Sequence, residues 1–455
     1  MSQSSLPSEN KMGTMPITKL LVHMALPLIV SMLVQALYNI VDSIYISRVS
    51  ESAVTALGLA FPIQNLIIGF GVGTAVGVNA LLSRSLGEKN QEQANLAAGN
   101  GLFLVTVFSL LFALFGLFFA RPYFEMQSSV PETVAGGSAY LAIVSIFSLG
   151  CFVQILCERL LQATGRSMLS MVLQGSGAAL NILLDPIFIF GWMGIPAMGV
   201  AGAAIATVLA QWISALLGIF LNLHYNPDLH LSRRYLKPHG EVLRGILSIS
   251  VPSIVMMCIG SVMTFGMNQI LQGFNETATG VFGIYFKLQS FVFMPVFGIN
   301  NATISIIAYN YGARKPQRVM STVHHAMTIA GCIMVLGMLV FELVPDLLLG
   351  IFDPSPDFLR LGRVALRVIA LSFPLAAIGI SLSGFFQALG KSTYSALVSL
   401  SRQLVILLPA AYLLSLSGQV DLVWWSFPIA EVGSFAVSLF FYFRLCRKTV
   451  QPLYH

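Results

Sequence analysis

Four side chains in two apolar stretches carry the chemistry this sequence offers. Tyr38 and Asp42 of ALYNIVDSIYIS stand four residues apart, and Asn181 and Asp185 of LNILLDPIFIFG repeat the spacing. Residues four apart share a helix face, so each stretch presents a carboxylate with one polar companion. Two carboxylates, an amide and a phenol make a set of hard oxygens that could hold Na⁺. The same set could share a proton, because two carboxylates close together in a low-dielectric place resist ionising together. Pro186 follows Asp185 and cannot donate to the carbonyl of Ile182, which leaves that carbonyl free or facing a cavity.

Other charges also lie inside apolar runs: Glu158, Arg159, Lys287, Arg402 and Glu431. An ionised side chain at the centre of a membrane helix costs roughly 2.5–3.5 kcal/mol even on the lenient insertion scale, so each needs a reason. Glu158 and Arg159 stand one turn before the run LQATGR and are expected to snorkel to an interface. Lys287 is deeper and must pair with an acid or face water. Arg402 is expected to pair with Glu431.

These residues are positioned by membrane helices. Of 455 residues 56% are hydrophobic and 9% charged, against about 25% charged in soluble domains, and the mean hydropathy is +0.83. The net charge of +6 does not indicate nucleic acid as a partner, since the basic residues sit in short loops between apolar runs. Twelve runs reach the ~20 residues needed to cross a bilayer: 17–46, 52–84, 92–120, 132–162, 167–192, 197–223, 241–271, 277–310, 317–343, 358–388, 393–416 and 421–446. The first run is too long for a cleavable secretory signal. The hydrophilic stretch 226–244 separates two halves, 1–225 and 245–455, each with six spans. Sixteen of the 24 Lys and Arg fall in loops on one side, which places both termini in the cytoplasm of a multi-pass plasma (inner) membrane protein. The cysteines have no metal-ligand spacing and are expected to be structural thiols.

The halves are one unit written twice. LQATGRS at 161–167 matches FQALGKS at 386–392, an offset of 225 that also pairs Pro27 with Pro252, Gly58 with Gly283, Phe61 with Phe286, Gln64 with Gln289, Gly73 with Gly298 and Gly87 with Gly312. Six spans is an even number, so both copies insert the same way up, and a pseudo-two-fold axis along the membrane normal is expected, with a cleft between two lobes. The duplication stops at the charges. At the same offset Tyr38 falls on Met263, Asp42 on Met267, Asn181 on Ile406 and Asp185 on Ala410. The ion site is therefore expected in the N-terminal half alone. Methionine and phenylalanine gather in the seventh and eighth spans, where Met256, Met263, Met267, Phe293 and Met294, with Gln64, Lys287 and Gln289, are expected to line a cavity for apolar or aromatic cations.

This combination resembles the multidrug and toxic compound extrusion (MATE) transporters. The resemblance rests on Pro27 with LYNIVDSIYIS, SRSLGEKN, LQATGRS, LNILLDPIFIFG, GVAGAAIATVLAQ and MPVFGINNATISIIAYNYGA, and covers nearly the whole chain. It implies twelve helices in a V of two six-helix lobes and ion-driven export of cationic, amphipathic drugs by a monomer. In relatives with a site in the first lobe, an acid in the first helix and Asn-x-x-x-Asp in the fifth carry H⁺ or Na⁺ coupling. The matching residues are Asp42, Asn181 and Asp185, with Tyr38 alongside and Thr207 as a hydroxyl from the sixth helix. The branch that binds Na⁺ through acids in the second lobe is not matched, since the seventh span, ILSISVPSIVMMCIGSVMTFGMNQI, has no carboxylate.

Other functions fit less well. A flippase for lipid-linked oligosaccharides would want a strongly cationic cleft, for which only Lys287 and Arg402 are available. A membrane enzyme would want H-E-x-x-H or a comparable motif, and the adjacent His324 and His325 face different sides of a helix. No G-x-x-x-x-G-K-[ST] phosphate loop is present, so the expected driving force is an ion gradient, with no cofactor.

Overall fold

A computed structural model describes residues 10–352 and 355–454; the first nine residues of the polar start lie outside the described set. A short helix α1 (Lys11–Thr14) precedes α2 (Ile17–Ser47), α3 (Glu51–Gly87), α4 (Gln91–Phe118), α5 (Pro131–Ile146), α6 (Leu149–Ala163), α7 (Ser167–Phe190) and α8 (Gly199–His224). The second half holds α9 (Gly240–Gln272), α10 (Glu276–Gly312), α11 (Pro316–Leu343), α12 (Pro356–Ala370), α13 (Phe373–Ala388), α14 (Ser392–Ser415) and α15 (Ser426–Leu445). Among the described residues ten helices are long and apolar enough to cross a membrane, and two bent pairs bring the number to twelve. Those pairs, α5 with α6 and α12 with α13, each bend by 49° and stand 225 residues apart.

The repeat is written into local geometry. Ser50 caps α3 by accepting from the N–H of Ala53 at 3.1 Å, and Asn275 caps α10 from Ala278 at 2.7 Å. Each cap satisfies a donor that the first helical turn leaves open. Gly165 and Gly390, in the two matched heptapeptides, take φ of 81° and 72°, the left-handed conformation that ends a helix. Lys89 and Arg314 take φ of 57° and 52° at the equivalent turns after α3 and α10.

Two helices from each half make the contact between the bundles: α2 packs on α10, and α3 on α9. A Cβ on Gly73 would lie 2.9 Å from the backbone N of Ile254, and one on Gly298 would lie 2.9 Å from the backbone N of Ile29. Because 73 matches 298 and 29 matches 254, the two contacts exchange under the repeat. That reciprocity is what a two-fold axis requires. At the ends of α3 and α10 the same exchange brings Gly87 against the carbonyl of Tyr309 and Gly312 against the carbonyl of Arg84. Each 37-residue helix is about 55 Å long at 1.5 Å per residue, beyond the ~30 Å hydrocarbon thickness. The excess is sheathed in protein: every residue from Asn301 to Asn310 is buried. Ser305 donates to Asn79 Oδ1 at 3.0 Å and Ser250 to the carbonyl of Thr74 at 3.2 Å, tying the halves together.

The face that carries the termini is fastened further. Asn10 donates to the carbonyl of Thr164 at 3.1 Å, while Asn310 and Arg318 each donate to the carbonyl of Met12 at 2.9 Å and Lys315 donates to that of Gly13 at 3.0 Å. The first helix thus bridges loops of both bundles. Burial and the adjacent Arg166 guanidinium hold the Lys11 ammonium below the ordinary lysine range. The connection between halves is an ordered strap along α4, where Asn95 and Asn100 accept from the N–H groups of His230 and His239 at 2.9 and 2.8 Å. Cys151 and Cys157 are buried thiols, whereas Cys332 is exposed on the outer surface of α11.

Candidate functional site

Helix α7 projects Asn181 and Asp185 into the N-terminal bundle, where both are buried, Asp185 completely. The Asn181 amide is satisfied when its nitrogen donates to Asp185 Oδ2 at 2.9 Å and its oxygen accepts from the N–H and hydroxyl of Thr207 at 3.2 and 3.1 Å. Thr207 comes from α8, where GVAGAAIATVLAQ is rich enough in small residues to let that helix approach α7 closely. Asp185 Oδ1 is buried and has no hydrogen-bond partner among the described residues.

Helix α2 packs along α7 and brings the other two predicted residues to the same place. Asp42 lies within electrostatic range of Asp185, and its Oδ1 is likewise buried and unpartnered. The Tyr38 phenol interacts with Thr207 and with both carboxylates. All five residues expected at the site therefore converge. An unpaired buried polar oxygen costs about 1–3 kcal/mol, more when charged, and two on neighbouring carboxylates make a gap that a proton or cation would fill.

Two residues join the set from elsewhere. Tyr140 on α5 is buried and interacts with Asp42 and Asp185, while its hydroxyl engages Gln64 of α3. Gln64, expected in a cavity between the lobes, thus supports the acid pocket through Tyr140. Below the pocket lies a cavity of about 70 Å³, lined by Gln35, Tyr38, Gln154, Gln174, Thr207 and Gln211 among others. These glutamines carry no charge to mark them in the sequence, although uncharged amides spaced along apolar spans are a signal of their own, since each must be satisfied inside the bundle.

Glu158 and Arg159 do not snorkel. Arg159 is 7% exposed and donates to Gln162 at 3.1 Å, Gln162 donates to Ser170 at 3.0 Å, and Gln154 donates to Glu158 at 3.1 Å. A bundle interior with this many polar side chains gives the pair partners that an interface would otherwise supply.

The second bundle is built differently. Met263 and Met267, at the positions matching Tyr38 and Asp42, are 8% and 0% exposed within its apolar core, so in this state neither offers surface to a molecule between the bundles. Phe293 packs edge-on against Phe373 at 5.2 Å. Met256 sits within sulfur contact of Ser383 and Gln387 at 3.7 and 4.0 Å. Lys287 is exposed, and Gln289 and Met294 are half-buried. Arg402 donates to Glu431 at 3.1 Å, as expected, from a stretch of α14 wound as a π-helix, Ser401–Leu407. Arg402→Met would strand a largely buried Glu431 and is expected to destabilise the protein by roughly 3 kcal/mol, while Arg402→Met with Glu431→Met should recover most of that loss. Thermal unfolding in detergent of the single and double variants checks this.

The MatE family model matches residues 27–187 and again 252–413, the two copies that the offset of 225 relates. The chain belongs to the MATE family of membrane transporters. It is 26% identical over 437 residues to the multidrug export protein MepA of Staphylococcus aureus strain MSSA476, covering 96% of each chain. It is equally 26% identical over 430 residues to MepA of Staphylococcus haemolyticus strain JCSC1435, covering 94% of each. Among solved structures, an outward-facing multidrug resistance MATE transporter superposes with a TM-score of 0.91 at 24% identity over 99% of both chains. A transporter of the same wider superfamily from Pyrococcus furiosus superposes with the same score at 23% identity, over 99% of this chain and 100% of the other. As a MATE fold, the twelve-span expectation holds with one refinement: the fourth and tenth spans are the bent pairs.

Proposed function

We propose that this MATE transporter exports cationic, amphipathic drugs by antiport, with H⁺ or Na⁺ moving inward through the pocket of Asp42, Asn181 and Asp185. The observation that carries the reading is the pair of buried, unpartnered carboxylate oxygens on α2 and α7, in a half whose structural twin has Met267 and Ala410 instead. Tyr38, Thr207 and Tyr140 complete the pocket. The export reading draws on the MepA relatives, named as multidrug export proteins.

The basic loops place both termini in the cytoplasm, with residues 1–225 and 245–455 as the lobes and 226–244 as the cytoplasmic linker. On that orientation, the crossing of α3 and α10 closes the cytoplasmic side. The close approaches at Gly73, Gly87, Gly298 and Gly312 all lie within about 20 Å of that face along their helices. Drug held between the lobes leaves outward when the ion enters the pocket and changes how α2 packs on α7. One charge moving inward across 100 mV is worth roughly 2.3 kcal/mol, which at about 1.4 kcal/mol per tenfold ratio supports a gradient of several tens-fold for a neutral substrate. One ion exchanged for one monovalent cationic drug is instead electroneutral and is driven by the ion's concentration gradient. The flippase reading loses support because Arg402, one of the two cations it would draw on, is paired with Glu431.

The test is dye efflux from proteoliposomes with pH and Na⁺ gradients imposed separately. One gradient should drive efflux in the unmodified protein, and Asp42→Asn should lower the driven rate at least tenfold. Equal driven rates in the two proteins would remove Asp42 from the coupling site.

A further inference from the structure

Asp185 stands 18 residues into α7, about 27 Å from the terminal face at 1.5 Å per residue. An ion released from it towards that face must cross a packed bundle. A bare charge does not pass through such a medium, so polar stations are required along the way.

The N-terminal bundle holds such stations on three helices. Asn181, Gln174 and Ser170 lie on one face of α7, Thr207 and Gln211 on α8, and Gln154 and Glu158 on α6. The 70 Å³ cavity lies among the first of these, with Gln154 in its lining. It has room for a few waters, which need about two to four polar partners each, and the Gln211 oxygen is buried there without one. Gln154 then donates to Glu158 at 3.1 Å. Glu158 is five residues from the end of α6, roughly 8 Å from the terminal face. An amide both donates and accepts, so water among glutamines can carry a proton along hydrogen bonds.

We propose that Glu158 is a second proton-binding station, exchanging the coupling proton between the Asp42–Asp185 pocket and the terminal face. The inference rests on the coupling reading above and commits it to H⁺. A proton leaves the Asp185 carboxyl to a cavity water, an O–H bond forms at a Glu158 carboxylate oxygen, and that proton passes to water at the terminal face. No electrons are transferred. On α6 itself the titratable and charged groups beside Glu158 are Arg159, Cys151 and Cys157. From the helices packed on α6, the groups at this end are Arg84 of α3, paired with Glu88 just past that helix, Glu92 of α4, paired with Arg234, His224 of α8, in tilted ring contact with Phe220, and Tyr309 and Tyr311 of α10. Gln174 and Gln211 contribute amides.

The test uses the full chain in proteoliposomes with ethidium as the transported cation. Glu158→Gln keeps an oxygen for Gln154 to bond but cannot exchange the proton. It should slow pH-driven efflux at least tenfold, flatten its dependence on pH at the terminal face, and leave ethidium affinity within twofold; Glu158→Asp should restore the pH dependence in part. Gln154→Leu, which removes the link without touching an acid, should slow efflux in the same way and covers the case in which Glu158→Gln does not fold. Wild-type rates and pH profile in the folded variants would overturn the relay. Asp185→Asn separates the two readings: if it abolishes coupling while Glu158→Gln does nothing, the relay alone fails, and if Asp185→Asn still couples, the pocket assignment fails first.

Discussion

Asp185→Asn is expected to reduce ion-driven efflux at least a hundredfold while leaving the protein folded and able to bind drug. An asparagine side chain has nearly the same shape, and its oxygen can still accept from the Asn181 nitrogen that now bonds Oδ2 at 2.9 Å. The buried, unpartnered Oδ1 is what changes, because the group no longer gains or loses a charge when an ion arrives. Stability should rise slightly if it shifts at all, since a fully buried ionisable group is expensive. Efflux under an imposed gradient, together with equilibrium dye binding and a melting curve, checks all three expectations. Intact driven efflux would show that the pocket of α2 and α7 is not where the ion couples.

A second large effect is expected at the crossing of α3 and α10. A Cβ at Gly87 would collide with the carbonyl of Tyr309 and lie 2.9 Å from the backbone N of Ala313, and one at Gly312 would collide with the carbonyl of Arg84 and lie 3.1 Å from the N of Glu88. Backbone in a helix cannot yield as a side-chain tip can, so the two helices must separate. Gly87→Ala and Gly312→Ala should each prevent the terminal face from closing and cut efflux at least tenfold. Because the contact is reciprocal, the two substitutions should have similar effects, and combining them should add little. Labelling of a cysteine placed at Ser305, now buried between the bundles, should quicken markedly in either variant. Unchanged labelling and efflux would mean that these glycines are not part of a moving contact. The smaller change Gly58→Ala, where a Cβ meets nothing within 4 Å, serves as the control.

Much of this architecture was legible in the chain because duplication is a linear property. The offset of 225 paired the two heptapeptides, Gly73 with Gly298 and Gly87 with Gly312. The structure gives such pairs matching roles, with caps at Ser50 and Asn275, turns at Gly165 and Gly390 and glycines at the contact between bundles, since the same local sequence meets the same backbone demands in each copy. The acid pocket was legible for a related reason: a carboxylate in an apolar span is costly enough that its presence alone points to function. Glutamines, Tyr140 and the inward turn of Arg159 were not. An amide or phenol costs less to bury, so its position in sequence says little until its partners are known.

Sequence alone determined the twelve-span membrane class, the repeat and its even span count, the identity of the four polar residues on α2 and α7, and their absence from the second half. These follow from composition and from i, i+4 spacing, which act within one helix. Tertiary packing decided the rest: that Thr207 and Tyr140 close the pocket, that Gln64 serves it, that Met263 and Met267 are core, and that Gly87 and Gly312 meet across the axis. Each of those depends on which faces of separate helices turn towards one another, and that choice is made by the packing of whole bundles rather than by any single stretch of chain.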